Sequence, residues 1–402
     1  MLMKIAKRAT MASLALTLLT SCASSQKTVT QFWPAPPDMP RIQFLKKVTN
    51  SEDVVGKKSV SLIDVGQNEN KPVPLIKPYG IAVRKGTLYI ADTVQSQVVI
   101  YNLPAKTATV LSGNKGPGQL KKPINLALDQ DGFLYVADTG RKQVLKYGPD
   151  GAFLTTIGEE KMKPVAVAVD DLYLYILDGA NGVVNLYDRL TLSRVRSFGN
   201  EGDERGRLFN PLGLGLDGKG GVYISNLDGR LVHFDRDGHP LRMFGRLGTG
   251  LSEFNRPRAI AFDKEGIMYV ADAASQNVRL LNENFQLLMS FGEPGTPASL
   301  NVPAGIAVTD EDLPYYQQFA APDFILERVI FAVSQFGESK IGVYGLGKKK
   351  GVDYDAILNE RLEQIRKREE AITKETAAKE QKEKEKAAGK GEAPQPAQGP
   401  KQ

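Results

Sequence analysis

Four acids recur at one place in a repeated phrase. Asp92 closes LYIAD, Asp138 closes LYVAD, Asp178 closes LYILD and Asp272 closes MYVAD. Carboxylates repeated around a closed structure could ring a metal ion. An Asp at a strand end could instead accept hydrogen bonds from backbone N–H groups of the next turn, holding ADTGRK or ADAASQ in shape. A group present in most copies of a repeat favours the second role, because an active site is built once. Other reactive residues are scarce. The chain has two histidines, His233 and His239, both in LVHFDRDGHP. Two imidazoles from one edge cannot build a central metal site. No Gly-x-Ser-x-Gly turn, phosphate-cradling loop or zinc-spaced pair occurs. A single cysteine, Cys22, excludes both an internal disulfide and a Cys-x-x-Cys-His haem site.

The elements that carry these acids repeat as units. A Pro followed by a short apolar strand returns as PYGIAV, PINLAL, PVAVAV, PLGLGL, PRAIAF and PAGIAV, starting at Pro78, Pro123, Pro164, Pro211, Pro257 and Pro303. A second strand follows each (LYIAD, LYVAD, LYILD, VYISN, MYVAD, VIFAVS), then a third (VVIYN, VLKYG, VNLYD, LVHFD, VRLLN, IGVYGL). The first five units add a fourth strand that ends near Gly. Strands of this composition, bounded by turn residues and returning every 41 to 47 residues, are the signature of propeller blades.

The pattern Pro-x-Gly-Ile-Ala-Val, Leu-Tyr-Val-Ala-Asp-Thr, Gln-Val resembles the NHL repeat over roughly residues 41–347. It is weaker at Pro211, where Asn226 replaces the Asp, and at Pro303, where Ser334 does. Six repeats imply an all-β, six-bladed NHL-type propeller. The sixth unit lacks a fourth strand, while RIQFLKKV at Arg41–Val48 is a strand without a blade. We expect it to complete the last blade and close the ring. SVSLIDVG is a further candidate strand. The insertion Thr309–Arg328 separates the first and second strands of the sixth unit, so it belongs on the face opposite the inter-blade loops. Its Tyr315, Tyr316, Phe319 and Phe324 either offer a contact surface or pack on their own blade. Residues 348–372 follow as one C-terminal helix, with Ile357, Leu358, Leu362 and Ile365 near helical spacing. Residues 373–402, rich in Lys, Glu and Ala and then Pro, form a charged tail expected to be disordered.

The first residues, MLMKIAKRATMASLALTLLTSC, join a basic start to an apolar run too short for a comfortable membrane span. Residues 1–21 therefore read as a signal peptide. The junction Leu19-Thr20-Ser21-Cys22 resembles the lipobox of bacterial lipoproteins, which implies lipid on Cys22. The absence of Asp after it implies the outer membrane, with the protein facing the periplasm or the cell surface. Residues 22–40, Ser/Thr/Gln-rich and then Pro-rich, read as a tether. Formal net charge is +6, and loss of Lys4, Lys7 and Arg8 brings it to about +3. That excess is too small to suggest a nucleic-acid partner.

Function must lie in what differs between blades. The loops before each first strand and after each YVAD share one face and are basic. Lys121, Lys122, Arg141, Lys142, Arg205, Arg207 and Arg258 are the candidate binding cations there, with Lys115, Lys163, Arg246 and Arg256 nearby in sequence. Glu159, Glu160, Glu201, Asp203 and Glu204 partly offset them. Tyr315, Tyr316 and Phe319 are the aromatic candidates. The leading reading is a non-catalytic protein-binding scaffold without cofactor, lipid-anchored to the membrane and holding another envelope or extracellular protein. The stretch from VPAGIAV to IGVYGL resembles NHL lipoproteins that accompany multihaem cytochromes in metal-reducing bacteria, which implies a cytochrome as partner. The alternative is a metal-dependent lactonase- or lyase-like propeller enzyme. Against it, the related peptide-amidating lyases use several His around zinc, and the gluconolactonase-like propellers use a central calcium site whose Glu has no counterpart in the first strands here.

Overall fold

The structure is a computed structural model that describes residues 30–56, 73–159, 161–200, 204–357 and, with gaps, residues up to Lys374. The signal segment, Cys22, SVSLIDVG and residues 375–402 lie outside the described residues. Among the described residues, the strands between Phe32 and Lys349 form six antiparallel sheets. The first contains β3 (Pro78–Arg84), β4 (Thr87–Asp92), β5 (Gln97–Asn102) and β6 (Thr107–Val110). The second holds β7 (Pro123–Leu128) to β10 (Phe153–Ile157), and the third β11 (Pro164–Val169) to β14 (Arg194–Phe198). The fourth holds β15 (Pro211–Leu216) to β18 (Pro240–Phe244), and the fifth β19 (Pro257–Phe262) to β22 (Leu287–Phe291). The inner strands β3, β7, β11, β15 and β19, with β23 (Pro303–Thr309), contact one another in a closed cycle. The molecule is thus a six-bladed propeller.

The sixth blade closes the ring. Its sheet runs β1 (Phe32–Trp33), β2 (Ile42–Val48), β25 (Ile341–Lys349), β24 (Phe324–Ser334), β23. β2 pairs antiparallel with β25, with Ile42 opposite Leu346, Phe44 opposite Tyr344 and Val48 opposite Ile341. Thus the strand without a blade supplies the one the sixth repeat lacks. β1 adds a fifth strand, Trp33 opposite Ile42, within the stretch expected as tether. Trp33 sits 6.0 Å from the Phe291 ring and 5.8 Å from the Tyr344 ring, edge-on, and its Nε1 donates to Glu293 at 3.2 Å. An amphipathic indole that can cover a seam and still find an acceptor is better placed there than in water.

Burial explains the strand sequences. Every residue of β8 (Leu134–Asp138), β16 (Val222–Asn226) and β20 (Met268–Asp272) is buried, because both faces of a second strand meet neighbouring blades. This is why they read as continuous apolar runs rather than alternating ones. Outer strands such as β18 are largely exposed or half-buried. The core lies between blades, as in the cluster of Ile42, Tyr269, Phe291, Ile306, Ile330 and Tyr344.

Antiparallel order sends the chain's connections to two faces. Inter-blade loops and the turns between second and third strands share one face; the insertion in the sixth repeat lies on the other. It contains the short helix α1 (Leu313–Gln317). Tyr316 is fully buried, its ring 5.7 Å from Phe331, so it serves the core and offers no contact surface. Tyr315 and Phe319 are half-buried, stacked edge-on at 5.5 Å, with Lys46 Nζ 4.9 Å above the Phe319 ring. Beyond Lys349, described residues between Tyr354 and Lys374 are helical, with an i,i+4 pair between Lys367 and Glu363 at 3.2 Å.

Candidate protein-binding face

The recurrent acids are clamps. Asp138 is fully buried, and its oxygens accept from Lys121 N at 2.6 Å and from Lys122, Gly140 and Arg141 N at 2.9 Å each. Asp92 accepts from Ile76, Lys77, Val94 and Gln95, Asp178 from Lys163 and Ala180, and Asp272 from Asn255 and Arg256. Asn226 and Ser334 make one such bond each, to Phe209 N and Asn301 N. Each side chain therefore also holds the inter-blade loop that precedes its blade, a reach that the following turn alone did not suggest. Among the described residues no group of His, Cys, Asp or Glu is arranged to hold a metal ion. Charged acceptors facing several N–H donors make strong bonds, and removing the acceptor strands those donors. Asp138→Ala should therefore cost about 3 kcal/mol of unfolding free energy. Asp138→Asn should cost less, since Asn still accepts, as Asn226 does. Urea titration of both variants checks this; equal losses would contradict it.

The clamp orients the residue before each Pro. Lys77, Lys122, Lys163 and Arg256 each donate a backbone N–H to a clamp Asp. Their carbonyls accept from Thr93, Thr139, Gly179 and Ala273 at 2.9 to 3.1 Å. Asn210 and Val302 fill the same position in the fourth and sixth blades. Because these residues immediately precede the six inner strands, the backbones of four cations stand around one mouth of the central channel. Lys122, Lys163 and Arg256 are exposed, while Lys77 Nζ lies 4.9 Å from the Phe336 ring.

Other sequence candidates spread outward on the same face. Lys121 and Lys142 are exposed. Arg141 is half-buried and donates from Nη1 to the Pro117 and Gln119 carbonyls, both at 2.8 Å, so it mainly ties two loops together. Arg205 and Arg207 are exposed around the 3-10 turn Glu204–Gly206. Glu160, Glu201 and Asp203 lie outside the described residues. Arg258 differs from the rest. It is the second residue of β19, and its guanidinium lies 5.4 Å from the Tyr79 ring. Burial lowers its pKa, Tyr79 acts to raise it, and the charge of Arg256 lowers it further. Lys77 and Tyr79 escaped the sequence reading; the signal that finds them is their place beside Pro78, equivalent to that of Lys122 and Ile124.

Six sheets about one axis, each clamped by an Asp, Asn or Ser at the end of its second strand, define this molecule as a six-bladed propeller with a basic channel mouth. No family model matches the sequence. NHL repeat-containing protein 3 of Mus musculus is 29% identical over 174 residues, covering 38% of this chain and 50% of its own length. The chain thus spans about half the length of that curated relative. Among solved structures, a gluconolactonase from Xanthomonas campestris superposes with a TM-score of 0.51 at 15% identity, over 79% of this chain and 97% of its own. A protein of unknown function from Bacteroides thetaiotaomicron gives 0.51 at 17% identity, over 76% and 75%. Structural likeness at these identities is likeness of fold alone. Fold and sequence similarity together support an NHL-type propeller.

Proposed function

We propose that this chain is a non-catalytic scaffold whose basic face binds an acidic protein of the bacterial envelope. Lipid on Cys22 holds it at the outer membrane, facing the periplasm or the cell surface. A multihaem cytochrome assembly is the partner that the sequence resemblance favours. One observation carries the reading: the repeated carboxylates are taken up by loop N–H groups, while Lys121, Lys122, Lys163 and Arg256, whose backbones they hold, are exposed. A rigid ring presenting loops from several blades suits a broad protein contact.

Charges on such a face steer association and set orientation more than they add affinity. The quadruple variant Lys121→Glu, Lys122→Glu, Lys142→Glu, Lys163→Glu should keep the wild-type melting temperature, because exposed charges contribute little to stability. Against the partner purified with wild type from native membranes, its association rate should fall at least tenfold and lose its salt dependence. Haem absorbance tests whether that partner is a cytochrome, and release of Cys22→Ala from membranes tests the anchor. Unchanged association kinetics would remove the basic face from the proposal. A stoichiometric tightly bound metal with lactone hydrolysis would replace the scaffold with an enzyme.

A further inference from the structure

The cationic mouth narrows to one side chain. The second residues of the inner strands are Tyr79, Ile124, Val165, Leu212, Arg258 and Ala304. Arg258 alone among them carries a charge. Its strand and that of Tyr79 are separated by the sixth blade, where the second residue is Ala304, yet its guanidinium reaches the Tyr79 ring. Arg258 Nη1 is buried and has no hydrogen-bond partner. No carboxylate among the described residues pairs with it, and the neighbouring charge of Arg256 repels it. Its backbone is held firmly: a Cβ on Gly213 would lie 1.8 Å from the Arg258 carbonyl oxygen, so the fourth and fifth blades meet there without slack.

A guanidinium nitrogen cut off from water without an acceptor is costly, and a fold has no use for that cost. Apolar residues at these positions in four other blades show that the ring does not need the charge. Arginine's planar fork matches a carboxylate in two parallel bonds, and an aromatic face beneath leaves the fork's edge free. The surrounding cations Lys77, Lys122, Lys163 and Arg256 raise the local concentration of anions. Ile124, Val165, Leu212 and Ala304 suit an apolar body behind one charged group.

We propose that the channel mouth is a carboxylate site in which Arg258 binds one carboxylate attached to a small apolar body. The group comes either from a free monocarboxylic acid or from the chain terminus of a docked protein. The site stands apart from the scaffold reading, because a free acid needs no docked protein, and its test leaves the outer lysines intact.

Titration calorimetry of the full chain against propionate, butyrate and benzoate, and against an apolar hexapeptide with a free or an amidated C-terminus, tests it. Saturable binding of at least one free carboxylate with a dissociation constant of about 1 mM or tighter is expected. Arg258→Met should weaken it at least tenfold, and Arg258→Lys, which keeps the charge and loses the fork, at least fivefold. The unliganded Arg258→Met variant should melt no lower than wild type, since a buried N–H group without an acceptor is removed; ligand should raise the melting temperature of wild type alone. Tighter binding of the acids assigns the site to a small molecule. Tighter binding of the free-terminus peptide, lost on amidation, assigns it to a protein terminus. Equal affinity in Arg258→Met, or no saturation by any probe at 20 mM, would overturn the proposal. A lower melting temperature for unliganded Arg258→Met would also overturn it, because Arg258 would then be structural.

Discussion

Deletion of residues 30–48 should abolish the cooperative melting transition, whereas deletion of residues 373–402 should move it by less than about 2 °C. The first deletion removes β1 and β2 and with them Ile42, Leu45 and Val48, all buried. Burial of each such side chain contributes roughly 1.5–3 kcal/mol, so three contribute on the order of the whole stability of a typical domain. Trp33 leaves as well, uncovering Phe291 and Tyr344. The cut also bares β25 as an unpaired edge, which invites pairing between molecules. Circular dichroism melting gives the first readout and sedimentation velocity the second. A first deletion that melted like the intact protein and stayed monomeric would show that the ring does not depend on this strand. A milder version, Ile42→Ala, should cost roughly 2–5 kcal/mol.

Gly213→Ala should be the most damaging single substitution among the inner strands, at about 3 kcal/mol or more. The added carbon would fall 1.8 Å from the Arg258 carbonyl oxygen and 2.7 Å from its carbonyl carbon. Those atoms are backbone, so no rotamer change relieves the contact; β15 and β19 must separate. Gly295→Ala is the control. It has φ +93° and nothing within 4 Å of the added carbon, so it meets only the backbone penalty, about 1 kcal/mol. Urea unfolding ranks the two. Similar losses would mean that the ring yields at its centre as readily as at a surface loop.

Blade number, strand order and closure could all be read along the chain. PYGIAV through PAGIAV set the count, and a spare RIQFLKKV against a sixth repeat lacking a strand implied the seam. These features are local or come from counting, and strand periodicity needs only neighbours a few residues apart. The recurrent Asp could be assigned a backbone role for the same reason, since its turn follows at once. Its second grip on the preceding inter-blade loop could not, because Asp138 and Lys121 meet only after the blade has folded. The aromatic candidates were ambiguous for a related reason: Tyr315 and Tyr316 are adjacent and identical in type, and only packing on Phe331 buries the second.

The sequence alone therefore determined the architecture, because each blade is specified by its own alternation, turns and clamp. It also named the basic residues of the proposed binding face. Tertiary structure decided which of them are available. Arg141 is held by loop carbonyls, Lys122 and Lys163 are left outward, and Arg258 is carried over the sixth blade to Tyr79. The third residues of three inner strands are Gly80, Gly213 and Gly305. They are required because neighbouring inner strands approach too closely for a side chain, a distance that exists only once all six blades have met around the axis.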